Sequence, residues 1–334
     1  MSRRSKNGQL PIHNDETLPP QEIIDLFKII FNDELYKSDE TFEKLLADVQ
    51  IVKSDLYNRD YINAFNNDIK RIAYCCRWSP SRATSYSSLF AHLDEVVHVI
   101  KCKDMEDQSV LCIGGGAGSE FIAIASMFTT SRELTSKYAT KNKDKDEDDE
   151  NEQDDADASR KTTLNLQLVD IANWDTIIKR INDTISDKWL YNNEHEYFNV
   201  KFTENDILKM SSKELNLPSL NLITLLFTTN ELFSEHKAES IRFLQKLNSD
   251  CQSGCLLLIV ESAGSFSHIT IGTKKFPIQF LIDTVLVGKR GEERHGSWEI
   301  IAQNDSIWYR GDTSLDYPIK LENMRFFYRL YRKK

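Results

Sequence analysis

The residues best equipped for chemistry stand at the ends of apolar runs. Val110–Ile113 leads into Gly114, Gly115, Gly116, Ala117, Gly118, Ser119 and Glu120; Leu164–Val169 ends at Asp170; Tyr197–Asn205 ends at Asp206; and Leu220–Thr229 ends at Asn230 and Glu231. A glycine turn between a short buried strand and an apolar helix (Phe121–Phe128) points bare backbone amides at a ligand, the arrangement that suits a nucleotide-like molecule. Gly114, Gly116 and Gly118 alternate, whereas a dinucleotide fingerprint would need its third glycine at Ser119. A Walker-type loop would need a lysine and then a hydroxyl after the last glycine, and this turn has neither. A glycine at 116 leaves room for a ligand to meet the main chain. The competing reading is a turn whose glycines only tighten strand-to-helix packing.

The elements that must position these residues follow from periodicity. From Gln21 to about Ile100 apolar residues recur at helical spacing, as in Ile23, Ile24, Phe27, Ile30 and Phe31, which predicts a preface of about four helices. Strand and helix then alternate: the glycine turn and its helix, a strand at 164–170, a helix from Trp174 to Leu190, a strand at 197–206, a strand at 220–229, a helix from Asn230 to Asn248 and a strand at 254–261. Such alternation implies an α/β fold, a mostly parallel sheet covered on both faces. Ser306–Arg310 and Met324–Arg332 are aromatic-rich strands joined by a Gly/Asp/Pro loop, an antiparallel hairpin that closes the sheet. The predicted organisation is a disordered start at 1–20, a helical extension at 21–100 and a main domain at 101–334.

Charge and cysteine usage narrow the class. The formal net charge over 334 residues is −10. The stretch Asp144–Asp157 holds ten acids against one lysine, so the rest of the chain is nearly neutral. That stretch marks a disordered insertion at about 131–161, because so dense a charge run cannot repay its ordering entropy. Asp170 stands 52 residues after Gly118, of which the 31-residue insertion accounts for all but 21, close to the gap that places a ribose-binding acid in dinucleotide folds. The six cysteines lack zinc or disulfide spacing and read as free thiols. No metal site is expected, and the longest apolar runs are too short to cross a bilayer.

Trp78, Arg82 and Tyr86 fall in a segment (77–88) broken by Pro80, which predicts a new helix starting there with Ser79 as its cap. They either reach over the ligand or pack that helix against the main domain. Lys274, Lys275, Lys289, Arg290 and Arg294, with Arg329, Arg332, Lys333 and Lys334 at the end of the chain, would form a positive face for phosphates if they converge. Scattered solvated side chains are the alternative.

The alternating glycines followed by Glu120 are similar to motif I of the class I S-adenosylmethionine-dependent methyltransferases. With Phe227–Phe233 (FTTNELF), Trp78–Ala83 (WSPSRA) and Met324–Lys333, the chain from about Gln21 to its end resembles the fungal family of large-subunit (25S) ribosomal RNA uridine-N3 methyltransferases. The resemblance implies a Rossmann-like sheet ending in a hairpin, S-adenosyl-L-methionine as cofactor, and ribosomal RNA or a pre-ribosomal particle as partner, in the nucleus, nucleolus or cytoplasm. It places the donor on Gly114, Gly115, Gly116, Gly118, Glu120, Asp170, Asp206 and Thr228, with Asp170 on the ribose and Asp206 on the adenine. The family's usual acid two residues before the first glycine is Cys112 here, which shifts the contact with the donor's ammonium to Glu120.

Uracil N3 carries a proton between two carbonyls, so its methylation needs a base or a donor that stabilises the developing anion. Asn230 would hydrogen-bond a uracil carbonyl, and Glu231 would orient it or accept the N3 proton. Structurally the same pair would be an N-cap and a first-turn acid. Two other functions fit the sequence: a class I methyltransferase acting on protein or a small molecule, and an inactive ribosome-assembly scaffold.

Overall fold

The computed structural model describes residues 8–132, 162–191, 193–264, 267–271, 274–289, 291 and 295–334. The expected disordered insertion, from residue 133 to its end at 161, and the first seven residues of the expected disordered start lie outside the described residues. Residues 8–19 are ordered, contrary to expectation. Leu10 and Leu18 are buried, and the backbone of Gly8 and Leu10 bonds to Trp308 at 2.8 Å in both directions.

Six helices come first: α1 (Pro20–Ile30), α2 (Asn32–Tyr36), α3 (Asp39–Tyr57), α4 (Tyr61–Ala64), α5 (Asp68–Ala91) and α6 (Asp94–Ile100). The alternating part follows as β1 (Gln108–Ile113), α7 (Ser119–Thr130), β2 (Leu164–Asp170), α8 (Asp175–Lys188), β3 (Phe198–Glu204), β4 (Leu222–Leu226), α9 (Thr229–Glu235), α10 (Lys237–Asp250) and β5 (Leu256–Ser262). Then come β6 (His268–Ile271), β7 (Lys274–Pro277), α11 (Ile278–Leu286), β8 (Trp298–Tyr309) and β9 (Met324–Lys333).

The main sheet has the order β3-β2-β1-β4-β5-β9-β8, parallel from β3 to β5 and antiparallel at β9 and β8. The strand order reverses between β1 and β4, so their carboxyl ends open a crevice where loops can hold a ligand. Alternate residues feed two cores. Val110, Cys112, Leu166, Leu168 and Leu258 pack against the preface, α7 and α8. Leu111, Ile113, Val169, Ile223 and Ile259 pack against α10 and α11 on the other face.

Two helix expectations are corrected. Pro80 does not start a helix, since α5 runs through it for 24 residues. A proline inside a helix leaves the carbonyl four residues earlier without its amide. Here that carbonyl, on Cys76, accepts from the Tyr317 hydroxyl at 2.7 Å. Ser79 likewise caps nothing, and its hydroxyl donates to the carbonyl of Ala117 in the glycine turn at 2.9 Å. The expected helix from Asn230 to Asn248 is broken at His236, whose backbone (φ −131°, ψ 49°) leaves helical space. The Ser240 hydroxyl takes up carbonyls of Leu232 and His236 across the break.

The terminal hairpin is present, but its arginines do not form the expected face. Arg329 is buried and bound to Asp305 at 2.5 Å, with Asp283 at 3.6 Å. Arg332 lies 3.4 Å from Glu95. A row of arginines along a strand reads as a surface in sequence, yet β9 is an interior strand and its flanking acids absorb the charge.

Phe27 ties the preface to the rest. It is fully buried, stacks on Phe31 at 6.5 Å, and sits on a helix packed against α5 and α8. Phe27→Ala is expected to lower stability by about 3–5 kcal/mol. Because the core is shared, denaturant should unfold preface and sheet in one transition, whereas separate transitions by fluorescence and circular dichroism would show that the preface folds apart.

Candidate active site

The turn after β1 is shaped by its neighbours. Gly114 (φ +73°) and Gly118 (φ +75°) occupy the left-handed region, which side-chain-bearing residues rarely adopt. A Cβ on Gly114 would lie 2.4 Å from Thr228 Oγ1, one on Gly116 2.0 Å from Trp174 Cδ1, and one on Gly118 2.2 Å from Ile181 Cδ1. Gly115 is less tight, with Cys112 Cβ at 3.0 Å. The expectation that Gly116 leaves room for a ligand is therefore corrected: the Trp174 indole fills that space. The glycines let Thr228, Trp174 and Ile181 close on the turn, and Thr228 and Trp174 line the crevice beside it.

That crevice is a cavity of about 620 Å³, within the usual range for small-molecule sites. Its floor is Gly114, Gly115, Ala117, Gly118, Asp170 and Asp206. Its roof is the preface, through Tyr61, Ile62, Phe65, Tyr74, Arg82 and Tyr86, and its far wall is Phe227, Thr228 and Glu231. Phe227 holds a left-handed φ of +58°, strain of the kind found where a binding site over-determines the backbone.

Six carboxylates line the cavity, those of Glu120, Asp170, Glu204, Asp206, Glu231 and Glu235, and Glu261 lies beside it on the Asn230 amide. Asp170 accepts from the amide of Gly116 at 3.1 Å and that of Ala172 at 3.1 Å. Burial raises its pKa, offset in part by those amides. Glu120 is buried on the first turn of α7, its Oε1 without a hydrogen-bond partner, and burial pushes it up to about 8. Glu231 is pushed up to about 8 by burial and then by Asp170, Glu235 and Glu261. Glu261, at the end of β5, accepts from the amides of Asn230 (3.0 Å) and Ser262 (2.8 Å), and burial raises it too. Its bond to Asn230 satisfies one of the open amides at the start of α9.

Sequence reasoning brought most of the floor together. Asp206 lines the cavity while its Oδ1 accepts from the amide of Leu208 at 3.0 Å and its Oδ2 lies 3.0 Å from Lys209 Nζ. Thr228 lines it too, bonded to the Ile113 carbonyl at 3.3 Å. Asn230 is outside the lining, its amide donating to Ser267 Oγ at 3.1 Å. Trp78 is also outside, its ring packed against Tyr74 at 5.2 Å. Arg82 and Tyr86 do reach the cavity. Lys275 is exposed on β7, away from the lining residues; of Lys274 only the backbone is described, and Arg290 and Arg294 lie outside the described residues. Trp174 closing the turn, Glu261 holding Asn230, and Tyr61 and Phe65 in the roof are not foreseen from the amino-acid sequence. Only the acid at the end of β5 was a visible signal.

Comparison with known proteins decides the family. Residues 27–332 match the profile of a SAM-dependent methyltransferase family. The chain belongs to that family. It is 58% identical over 335 aligned residues to the 25S rRNA (uridine(2843)-N(3))-methyltransferase of Saccharomyces cerevisiae, covering 98% of this chain and 89% of the yeast protein. Solved structures are more distant. An O-methyltransferase family protein from Burkholderia thailandensis is 10% identical with a TM-score of 0.39, covering 87% of this chain and 71% of that one. An rRNA methylase from Streptococcus thermophilus is 8% identical with a TM-score of 0.34, covering 71% and 93%.

S-adenosylmethionine is the methyl donor of this family, and the cavity suits it. An orphaned buried carboxylate oxygen on Glu120 matches an ammonium group, and the acids at the ends of β2 and β3 match hydroxyl and amino hydrogens. Among the described residues no helix is long and apolar enough to cross a membrane, and no group of three or more His, Cys, Asp or Glu could hold a metal.

The raised Glu120 makes a signed prediction. A carboxyl whose folded pKa is raised contributes stability below its unfolded value of about 4.5 and loses it as pH climbs through about 8. Ligand-free protein should therefore weaken between pH 5 and 8.5 more than Glu120→Gln does. Parallel stability curves in denaturant would show that Glu120 ionises freely.

Proposed function

We propose that this enzyme methylates N3 of a uridine in large-subunit (25S) ribosomal RNA, acting on the RNA or on a pre-ribosomal particle in the nucleus, nucleolus or cytoplasm. The observation that carries the reading is 58% identity along nearly the whole chain to a yeast enzyme named for that reaction. The cavity supports it, since a carboxylate raised to about 8 is poised to take a proton from a weakly acidic ring nitrogen near neutral pH.

Gly114, Gly115 and Gly118 present the backbone of the turn to the donor, Gly116 holds Asp170 through its amide, Asp170 faces the ribose, Asp206 the adenine, and Glu120 the ammonium. Thr228 lines the far wall beside Gly114. When bound, S-adenosylmethionine supplies an electrophilic methyl group. Glu231 is the general base for the N3 proton. Asn230 is a positioning residue: its backbone on Glu261 and its amide on Ser267 fix the start of α9, which aims Glu231 into the cavity. The target base must leave any stack to enter beneath the preface.

Incubating the protein with S-adenosylmethionine and unmodified 25S rRNA, then analysing nucleosides by mass spectrometry, should yield N3-methyluridine, and methyl transfer to protein alone would refute the reading. Glu231→Gln should slow turnover about 100-fold or more while leaving donor affinity within a few-fold. Because the base works ionised, wild-type turnover should rise with pH toward 8 and the variant should lose that rise.

A further inference from the structure

Arg82 breaks a pattern set by every other arginine that is not exposed. Among the described residues, Arg71, Arg77, Arg132, Arg180, Arg329 and Arg332 each have a carboxylate within 4.0 Å. Arg82 has none. Its guanidinium lies 5.4 Å from the centre of the Tyr74 ring and 5.2 Å from that of Phe227, and it donates to the Tyr74 hydroxyl. Tyr86, itself packed on Phe227 at 6.2 Å, closes the cluster. Aromatic faces attract a cation but do not neutralise it, and an unpaired buried charge is costly. The group lines the cavity, and a guanidinium has five N–H donors, so a donor edge is left for whatever enters.

Building on the uridine reading above, we propose that Arg82 is a catalytic residue that donates to a uracil carbonyl oxygen and stabilises the negative charge formed when N3 loses its proton. The balance of the step is simple. The N3–H bond breaks, the proton goes to the Glu231 carboxylate, and the electron pair left on N3 is shared with the two flanking carbonyls. A carbonyl oxygen carrying that charge supplies the anionic partner that Arg82 lacks. The surroundings favour a cation there, because the new anion forms in a cavity whose lining already holds Glu120, Asp170, Asp206 and Glu235. The position also fits the acceptor rather than the donor. Phe227, against which Arg82 lies, begins the segment that carries Glu231. Tyr74 and Tyr86 on α5, Glu120 on α7 and Glu261 on β5 are the titratable groups facing it.

The test uses the full-length protein with an rRNA fragment carrying 5-fluorouridine at the methylated position, without methyl donor, so that 19F NMR reports ionisation of N3 against pH. The wild type should lower the apparent N3 pKa relative to free RNA, and Arg82→Gln should raise it by about one unit or more, with turnover on the unmodified fragment down about 100-fold. Arg82→Lys keeps the charge without the flat stacked fork and should fall between the two, which guards against a glutamine variant that fails to fold. Unchanged 19F titration in both variants would overturn the proposal. So would a large loss of S-adenosylmethionine affinity with normal N3 ionisation, which would put Arg82 on the donor's carboxylate. If the wild type produces no N3-methyluridine at all, the uridine reading falls and this proposal with it.

Discussion

Carboxylates crowded into one poorly solvated crevice are the constraint on which the rest of this structure depends. Glu120, Asp170, Glu231 and Glu261 would repel one another and resist burial without fixed donors around them. Two are held by backbone amides: Asp170 by the glycine turn and Ala172, and Glu261 by Asn230 and Ser262. All four have raised pKa values, and Glu120 and Glu231 are the two pushed up to about 8. The site thus keeps its unsatisfied acids where ligand chemistry can satisfy them.

The helical preface is part of this site. Its side chains roof the cavity and help keep solvent from the acids on the floor. α5 contributes most. Its Ser79 hydroxyl fixes the glycine turn through Ala117, its proline is accommodated by a hydroxyl from the loop before β9, and one turn later Arg82 and Tyr86 enter the cavity. A single helix therefore couples the floor, the terminal hairpin and the only cation in the lining that lacks a carboxylate partner among the described residues.

Much of this was legible in the amino-acid sequence, and the rest was hidden for identifiable reasons. Strands such as Leu164–Asp170 announce themselves because residues buried on both faces must be apolar, and the acids that end them mark the ligand edge. The acidic insertion could be subtracted by charge alone. Pro80 misled because local rules cannot see a distant Tyr317 waiting for the freed carbonyl. The continuous apolar pattern across His236 concealed a break that only backbone angles reveal. Gly116 was read for a ligand when Trp174, 58 residues later, takes its space, and Arg329 was read as surface charge when β9 lies inside the sheet. Apart from the break at His236, each error concerns a partner far away in the chain, which periodicity and motif spacing do not encode.

The central claim is that the crevice over the glycine turn is a methyl-donor site with Asp170 at the sugar. Calorimetric titration tests it most directly. S-adenosylmethionine should bind the wild type with measurable heat, and Asp170→Ala should weaken it at least about tenfold, the loss of roughly one charge-assisted hydrogen bond. A wild type that gives no heat with S-adenosylmethionine while a nicotinamide dinucleotide titrates cleanly would contradict the account.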